Sequence, residues 1–591
     1  MPFRDFSPRD FEVLLPLVQK PGRYTGGEPG SIMKDPNEVL LRYAFCFPDT
    51  YEIGMSNLAM KILYGLANAR ADCWCERCFA PWTDMEALMR EKEIPLWALE
   101  SGDPLRDFDL LGFTLQYELS YTNVLNMLDL AGVPLRSADR PSLAPLVIAG
   151  GPCACNPAPL APFIDIFVLG EGEEVSGELL DLLAEHKRKN SSKEEFLRAA
   201  SKLEGIYVPA LNQASVKKRI VKDLDTCYFP ESFVVPLLEV VHDRTVTELF
   251  RGCIRGCRFC QAGFLNRPVR EKSPEIVDAQ CRALCDNTGY EEVSLCSLST
   301  SDYTRLPELL DSMLDWAVPQ KINVAVPSLR IDEFPKEMMK KLAQVRRSGL
   351  TFAPEAGTQR LRDVINKNIT EKQILSTARQ AFSGGWTSVK LYFMIGLPTE
   401  TDEDILGIAE LAQKVVDEYY RSPDRPKGKG VQVSLSVAGF VPKPFTPFQW
   451  EAMDTRGELA RKQALLRNAI KNKKIKLSYH DSETSLLEGA FARGDGRLAD
   501  VLELARRRGA RFDGWDDQFR PALWKECFDD LGIDPKEYLR EREKDEALPW
   551  EHLGYGVTKA FLWREKERAF SAQTTPNCRE ACAGCGAGCQ A

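Results

Sequence analysis

The 591-residue sequence predicts an α/β protein with a doubly wound N-terminal domain, a second domain of six strand–helix units, and a mainly helical C-terminal region. Short apolar runs alternate with helical segments between residues 38 and 450, and this alternation favours parallel strands joined by right-handed crossovers. Beyond Glu451 the sequence becomes helical in pattern and strongly charged. The predicted divisions are an extension at 1–37, the first domain at 38–188, a linker at 189–229, the second domain at 230–450, the helical region at 451–570 and a cysteine-rich tail at 571–591.

The composition is that of a soluble globular chain, with 44% hydrophobic and 28% charged residues and no apolar run long enough to cross a membrane. The first residues lack the apolar core of a signal peptide, so we expect a cytoplasmic protein. In that compartment, 18 cysteines indicate metal sites rather than disulfide bonds. The net charge of −9 excludes a general attraction to nucleic acid or to anionic membranes.

The first domain is predicted from four apolar strands and a helix after the first of them. Doubly wound sheets bind ligands beyond the carboxyl ends of their strands. Two glycine-rich turns fall at such ends, and they contain Gly150, Gly151, Gly170 and Glu171. The predicted strands lie at 38–48, 111–115, 146–149 and 164–169, and the helix lies at 53–69.

Cys253, Cys257 and Cys260 form a Cys-x3-Cys-x2-Cys array directly after a predicted strand. Three thiolates on one loop can hold three irons of a cubane cluster, whereas an ordinary [4Fe-4S] electron-transfer site uses four cysteines. The fourth iron is then open to another ligand, and an open coordination position is typical of catalytic metal sites. Zinc would need a fourth Cys or His nearby, and neither follows before Cys281. The array therefore predicts a catalytic [4Fe-4S] cluster with one open iron.

Six strands with helical crossovers make up the predicted second domain. In barrels of this kind the chemistry lies at the carboxyl ends of the strands, and the cysteine array follows the first strand as that rule requires. The predicted strands lie at 245–250, 291–297, 321–328, 350–354, 388–395 and 431–438, and the predicted helices include 273–289, 334–348, 371–382 and 402–420.

The cysteine array, with Phe259 before its third cysteine, resembles the radical S-adenosylmethionine (SAM) superfamily. The resemblance implies a partial (β/α)6 barrel in which the amino and carboxylate groups of SAM chelate the open iron. It also implies that an electron from the cluster splits SAM and yields a 5′-deoxyadenosyl radical. The residues that it implies as SAM contacts follow the barrel strands in order, and they are Phe259, Ser297, Ser299, Ser328, Arg330, Glu355 and Gly396.

The Gly-Gly-Pro turn and the later Asp-Ile-Phe-Val-Leu-Gly-Glu-Gly-Glu segment, placed before the barrel, resemble the cobalamin-binding subgroup of that superfamily. The resemblance implies a corrinoid against Gly150, Gly151, Gly170 and Glu171. Many cobalamin domains carry an Asp-x-His-x-x-Gly loop whose histidine ligates cobalt, and this chain has no such loop. The alternative is a domain of the same shape that holds no corrinoid or binds substrate there. The histidines of the chain are His186, His242, His480 and His552.

The tail contains a second array, Cys-x3-Cys-x2-Cys-x3-Cys, among glycines and alanines too small to build a core. Four thiolates at this spacing suit a complete auxiliary [4Fe-4S] cluster, with zinc as the alternative. Free thiols are disfavoured because exposed cysteines oxidise readily. The predicted ligands are Cys578, Cys582, Cys585 and Cys589.

The remaining cysteines that we considered show no common ligand spacing, and we expect ordinary thiols there. The group Cys73, Cys75 and Cys78, with Cys46, is predicted to consist of surface or core thiols, and Cys281, Cys285 and Cys296 are predicted to be core thiols.

Two basic clusters in the C-terminal region, at 461–476 and 506–511, have the charge to bind an RNA backbone, and Trp515 lies near the second. The alternative, and the commoner role of such runs, is a solvated helix face.

These features lead to three functional hypotheses. In the first, a 5′-deoxyadenosyl radical activates an unreactive carbon and methylcobalamin supplies a methyl group. In the second, radical chemistry modifies tRNA or a ribosomal component, for example by thiolation, with the tail cluster taking part. In the third, the chain is a non-catalytic iron–sulfur or corrinoid sensor. An enzyme would need a one-electron donor such as a flavodoxin or ferredoxin, and its substrate could be a small molecule, RNA or protein.

Overall fold

The computed structural model describes residues 10–327, 350–426 and 428–588. Within these ranges the N-terminal sheet follows the strand order β2–β1–β3–β4–β5–β6, parallel throughout except between β5 and β6. Its strands are β1 (Leu41–Phe47), β2 (Cys73–Phe79), β3 (Leu110–Thr114), β4 (Leu146–Gly150), β5 (Ile166–Val168) and β6 (Ile206–Tyr207). The helices of this part are α1 (Tyr51–Gly54), α2 (Leu58–Asn68), α3 (Thr83–Lys92), α4 (Tyr121–Leu130), α5 (Gly172–Arg188) and α6 (Lys193–Ala200).

Both faces of the N-terminal sheet are buried because its strands are apolar on both sides. In β1, Tyr43 and Phe45 enter one core together with residues of α2 and α5. Ala44 and Cys46, which alternate with them, enter the opposite core with residues of α4. The strand therefore has no polar face, as expected in a doubly wound sheet.

The cysteines of β1 and β2 are core thiols, divided between the two faces of the sheet. Cys46 and Cys78 lie in one core, whereas Cys73 and Cys75 lie in the other. Since they do not converge, they are not a ligand set. Cys281 and Cys285 are also buried, but the prediction for Cys296 was wrong, because the last residue of its strand points away from the core that Leu295 enters.

Within the part of the chain that is described, the second domain contains the six predicted strands and one more, β16, in two parallel groups, β12–β11–β8 and β13–β14–β15–β16. This arrangement confirms the predicted fold class; the predicted helix at 334–348 lies outside the described residues. The strands after β6 are β7 (Val216–Lys217), β8 (Thr245–Glu248), β9 (Phe250–Arg251), β10 (Arg270–Glu271), β11 (Glu292–Cys296), β12 (Asn323–Ala325), β13 (Leu350–Glu355), β14 (Ser388–Ile395), β15 (Gln432–Gly439), β16 (Ile475–Tyr479) and β17 (Leu553–Gly554). The helices are α7 (Gln261–Leu265), α8 (Pro274–Thr288), α9 (Leu306–Gln320), α10 (Gln359–Val364), α11 (Glu371–Ser383) and α12 (Asp402–Arg421).

Strand β16 corrects the predicted boundary at residue 450. We expected helix throughout this stretch, yet Ile475–Tyr479 pairs in parallel with β15 and extends the barrel sheet. Ile475, Leu477 and Tyr479 alternate with exposed residues and pack on the core under β14 and β15. The period of two was hidden in the sequence because lysines flank and interrupt the short apolar pattern.

The C-terminal region packs against both earlier domains. Helix α15 lies against α4 of the N-terminal domain. Strand β17 pairs in parallel with β7, so the predicted linker at 189–229 is structured and contributes α6, β6 and β7. No helix in the described ranges is long and apolar enough to cross a membrane. The helices of this region are α13 (Arg456–Ala469), α14 (Ser482–Arg493), α15 (Leu498–Arg507), α16 (Pro521–Asp530), α17 (Lys536–Leu539) and α18 (Lys559–Phe570).

Paired substitutions in β16 test its position in the barrel sheet. Ile475→Ala should lower the free energy of unfolding by about 2–4 kcal/mol because it removes a buried side chain from a packed core. Lys476→Ala, its exposed neighbour, should change it by less than about 0.5 kcal/mol. Urea unfolding followed by circular dichroism measures both, and similar losses for the two variants would contradict the assignment.

Candidate active site

The three cysteines of the first array lie on one loop at the carboxyl end of the first barrel strand. Cys253 follows β9, and Cys260 precedes the short helix α7 as its N-terminal cap residue. The Cys260 amide donates to the carbonyl of Cys257 over 3.0 Å. This bond closes a turn between the second and third cysteines, at the end of the barrel where chemistry is expected.

The thiols of the loop act on one another electrostatically. Burial raises the pKa of Cys253 to about 12 and that of Cys260 to about 11, and in both cases the charge of Cys257 adds to the increase. Three nearby, shielded thiols are donors that suit the irons of a cubane cluster. Within residues 10–327, 350–426 and 428–588, no three or more Cys, His, Asp or Glu side chains are already arranged as a metal site. Cys253, Cys257 and Cys260 therefore influence one another, but in this structure their side chains do not converge on one metal position.

Buried arginines fix the backbone of the cysteine loop. Arg258, with no exposed surface, donates to the carbonyl of Val364 over 2.8 Å and pairs with Glu565 at 3.1 Å. Arg255 forms a second buried ion pair with Asp302, with 3.0 Å between Nε and Oδ2. None of these four charged residues was among the site residues predicted from the sequence. Arginines inside a cysteine array were a usable signal, but their partners lie far away in sequence.

Glu355 lies beside the third cysteine, at the end of β13. Its backbone φ is +66°, and the register of β13 against β14 shifts between Phe352 and Glu355. Its carboxylate pairs with Lys367 at 3.2 Å, and both charges influence the pKa of Cys260. A left-handed conformation at a non-glycine residue is costly and concentrates at functional sites. The position of Glu355 thus suits its predicted role as a contact to SAM.

The serines after β11 offer polar groups at the next strand end. Ser297 Oγ and Thr300 Oγ1 are 3.0 Å apart, and Thr300 Oγ1 donates to the carbonyl of Pro327. Ser299 is only 3% exposed, and its hydroxyl has no hydrogen-bond partner in the described chain. Buried polar groups normally have partners, so this hydroxyl is suited to a ligand. Ser328 and Arg330 lie outside the described residues.

Two family comparisons match the chain on either side of the linker. The family described as "Radical SAM proteins, N-terminal" matches residues 59–209, and the radical SAM superfamily matches residues 247–412, which include the cysteine loop, Ser299 and Glu355. The chain belongs to the radical SAM superfamily. The predicted recognition is thereby confirmed at the level of the superfamily.

Relatives of this radical SAM protein are distant. The uncharacterized protein MJ0966 of Methanocaldococcus jannaschii is 28% identical over 472 residues, which cover 79% of this chain and 92% of that protein. The anaerobic magnesium-protoporphyrin IX monomethyl ester cyclase of Cereibacter sphaeroides is 24% identical over 313 residues, 50% of this chain and 45% of that protein. The structure of the radical SAM methyltransferase TsrM of Kitasatospora setae, with tryptophan and a SAM analogue bound, covers 83% of this chain and 100% of that one, at 12% identity and a TM-score of 0.51. At this identity the likeness to TsrM shows a shared fold alone.

Phe259 and Gly396 of this radical SAM protein lie near the other strand ends. Phe259 is partly buried and packs on a small core beside Met394 and Ala572. Gly396 has a φ of +84°, and a Cβ added there would lie 3.0 Å from a carboxylate oxygen of Asp454. The close approach at Gly396 is therefore to the chain itself, and a contact to adenine stays a prediction.

The residues predicted to contact a corrinoid are engaged by the chain. A Cβ at Gly151 would lie 2.8 Å from the Leu115 carbonyl oxygen, and one at Gly170 only 2.2 Å from that of Arg219. The added Cβ at Gly150 would have only ordinary contacts, with Val168. Glu171 accepts hydrogen bonds from both terminal nitrogens of Arg270, at 2.7 and 2.6 Å, and from the Val221 amide at 2.6 Å. Glu171 therefore joins the N-terminal domain to the barrel, whereas Gly151 and Gly170 meet backbone of the same domain and of the linker.

The carboxyl edge of the N-terminal sheet is covered by the C-terminal region. Trp515 Nε1 donates to Asp49, just after β1, over 3.0 Å. Asn123 Nδ2 donates to the Pro48 carbonyl over 2.8 Å, and its Oδ1 accepts from the Phe512 amide over 2.7 Å. Doubly wound sheets bind ligands at this edge. In this fold, the described residues there do not form an open corrinoid site.

Beyond β3 and β4, a partly buried ion-pair cluster lies between the N-terminal sheet and the barrel. Lys443 pairs with Glu118 and with Glu488, each at 2.7 Å. Gln261 of the cysteine-loop helix donates to Cys155 Sγ over 3.2 Å. Side chains from the N-terminal domain, the barrel and the C-terminal region thus meet here.

The described tail cysteines are not gathered into a metal site. Cys582 is exposed, Cys578 is half-buried and Cys585 is buried. The Cys585 carbonyl accepts from the Thr558 amide over 3.0 Å, which places this part of the tail at the start of α18. Cys589 lies outside the described residues. The auxiliary cluster therefore stays a prediction.

Glu565→Gln should loosen the cysteine loop. It leaves Arg258 buried without a counter-charge, and burial already lowers the pKa of this arginine. The free energy of unfolding should therefore fall by about 3 kcal/mol. Glu567→Gln is the matched control, because Glu567 is exposed on the same helix. Thermal unfolding and the iron retained after reconstitution measure the effect, and equal behaviour of the two variants would contradict the role of Arg258.

Proposed function

We propose that this protein cleaves SAM reductively and uses the resulting 5′-deoxyadenosyl radical to remove a hydrogen atom from an unactivated carbon. The single observation that supports this most is the position of three mutually interacting thiols on one loop, at the carboxyl end of the first barrel strand. A [4Fe-4S] cluster held there would supply one electron to SAM. That electron would break the bond between sulfur and the 5′ carbon, with methionine and the radical as products. Hydrogen transfer then yields 5′-deoxyadenosine and a substrate radical.

In this scheme the residues of the chain bind the cluster and orient SAM. Cys253, Cys257 and Cys260 would hold the cluster. Glu355, in its constrained backbone conformation, and the unpartnered hydroxyl of Ser299 would orient SAM from the ends of two different strands, β13 and β11. Their separate positions around the third cysteine and after β11 suit a ligand that spans several strands.

A small organic substrate fits the structure better than RNA. The cluster at 506–511 is largely neutralised by the protein itself: Arg506 pairs with Asp129, Arg507 with Glu503, Arg508 with Asp530, and Arg511 with Glu86. In the cluster at 461–476, Arg461 pairs with Asp402 and Glu458, and Lys462 pairs with Glu400 and Asp454. Such pairs compete with phosphate contacts, which weakens the support for RNA binding at the cluster around Arg506.

A cavity of about 980 Å³ in the C-terminal region is large enough for such a substrate. Apolar side chains from four segments line it, including Met453, Leu487, Trp524 and Leu539. Asp454, also in its wall, is the residue next to Gly396 at the carboxyl end of β14. We propose this cavity as the space for the apolar body of the substrate.

Methyl transfer from cobalamin has support from the fold but not from the residues. The fold is shared with TsrM, whereas the predicted corrinoid contacts are engaged by the chain and the strand edge is covered. We therefore derive no methyl-transfer step for this protein, and the proposed chemistry is complete without one.

Reconstituted protein given SAM and dithionite without oxygen should release 5′-deoxyadenosine. Cys257→Ala should reduce the release at least a hundredfold, about 2.7 kcal/mol or more in barrier terms, because it removes a cluster ligand. Cys281→Ala removes a core thiol that binds no cluster, so this variant should release 5′-deoxyadenosine as the unaltered protein does. Chromatography of the products measures the release, and a protein with an intact cluster that releases none would overturn the proposal.

A test for bound corrinoid distinguishes radical chemistry with methyl transfer from radical chemistry without it. Protein produced with added hydroxocobalamin should show no corrin absorbance after gel filtration, because residues of the C-terminal region cover the strand edge. Stoichiometric corrin absorbance would contradict this expectation and restore methyl transfer. A Trp515→Ala variant that gains corrin absorbance would show that the covering residues exclude the ligand.

A further inference from the structure

A small cavity lies between helix α2 and the segment that precedes the first barrel strand. Its walls come from the N-terminal extension at 30–32, from the first domain at 54–69 and Arg77, and from the linker at 228–234. Its volume is about 240 Å³, which is below the range of drug-sized pockets and suits a smaller molecule. None of these residues belongs to the candidate active site, so the cavity is a separate feature of the molecule.

Three polar side chains in the wall of this cavity are bound by the protein itself. Arg77 forms ion pairs with two buried glutamates, at 2.8 and 2.6 Å. The Tyr64 hydroxyl accepts from the Ile32 amide over 2.8 Å. Asn68 exchanges two hydrogen bonds with the backbone of Cys75, each of 2.9 Å. Since buried polar groups need partners and these have them, none of the three calls for a ligand.

Lys61, on α2, differs from these three residues. Its amine lies 4.7 Å from the centroid of the Phe233 ring, and in the described chain no carboxylate lies within 4 Å of it. Burial lowers the pKa of Lys61 to about 8, and the charge of Asp243 only partly opposes this effect. An aromatic ring attracts a cation weakly, whereas a shielded ammonium group usually has a counter-ion. The cavity thus contains one positive charge for which the described residues supply no partner.

Most of the remaining wall is apolar and adaptable. Met55, Met60 and Phe233 are buried and line the cavity, and methionine side chains adjust to ligands of different shape. Tyr228 adds a hydroxyl group close to α2, because a Cβ added at Gly65 would lie only 2.6 Å from the hydroxyl oxygen. One cation and one hydroxyl in an apolar wall match a molecule with an apolar body and an anionic end.

We propose that this cavity binds a small organic anion, a carboxylate or a phosphate monoester with an apolar body, through the amine of Lys61. The anionic end pairs with the amine, and the apolar body lies against Phe233 and the methionines. Because the linker residues at 228–234 form one wall and α2 forms another, the bound anion fastens the two together. The site does not depend on the proposed radical chemistry, so either proposal can fail without the other.

The test titrates the full-length protein at pH 7 with benzoate and with phenyl phosphate as probes. Benzamide, which has the shape of benzoate without its charge, is the matched ligand control. Isothermal titration calorimetry should show one site for at least one of the two anions, with a Kd of about 1 mM or below. Benzamide should bind at least ten times more weakly than benzoate or phenyl phosphate. The tighter of the two anions tells whether the site takes a carboxylate or a phosphate monoester.

A substitution of Lys61 tests the residue itself. Lys61→Met removes the charge and keeps a long side chain, so the affinity for the anion should fall at least tenfold. Lys202→Met is the matched control, because Lys202 is exposed just after α6, and it should bind as the unaltered protein does. Since Lys61→Met removes a shielded charge without a counter-ion, this variant should unfold at the same temperature as the unaltered protein or at a higher one.

Equal affinity of the anion for the Lys61→Met variant and for the unaltered protein would overturn the inference. Equal binding of benzoate, phenyl phosphate and benzamide would do the same, as would the failure of both anions to bind at about 10 mM. A clear drop in the unfolding temperature of Lys61→Met would show that the amine supports the fold instead. The comparison with benzamide uses the unaltered protein, so it decides the question whatever the variant does.

Discussion

The backbone of the cysteine loop is held in place by a buried arginine, and the proposed chemistry depends on this restraint. Arg258 has no exposed surface, so its charge has lost its water and must be satisfied by the protein. Glu565 and backbone carbonyls of α10 and the tail meet that need. A short loop of three thiols would otherwise sample many conformations, and only a restrained loop can present all three sulfurs to one cluster.

The carboxyl edge of the N-terminal sheet is satisfied by another part of the same chain. The parallel sheet and two helical layers are those of a ligand-binding doubly wound domain. Here, however, Asp49 and Asn123 at the strand ends bind residues around Trp515 from the C-terminal region. A polar strand edge must be satisfied by something, and in this chain another part of the same protein does so. The domain then acts as a platform that joins the C-terminal region to the barrel.

Charged residues of the C-terminal region are likewise paired with other parts of the same chain. A run of arginines has a strong attraction for phosphate only when its charges are free. In the region around Arg506 and Arg511, aspartates and glutamates from distant segments neutralise the run. Arg506 and Arg511 therefore help to join the C-terminal region to the N-terminal domain.

The sequence by itself determined the α/β class, the six barrel strands and the cysteine array, because these depend on local apolar periodicity and on spacing within a few residues. It also determined that Glu355 and the serines near Ser299 follow strand ends. Tertiary structure alone decided that Glu565 and the tail restrain the cysteine loop, and that residues near Trp515 cover the N-terminal strand edge. The tertiary structure also decided strand β16, because its pairing with β15 outweighs a charged local sequence pattern. Contacts between residues hundreds of positions apart leave no periodic signal in one sequence, so only the folded chain reveals them.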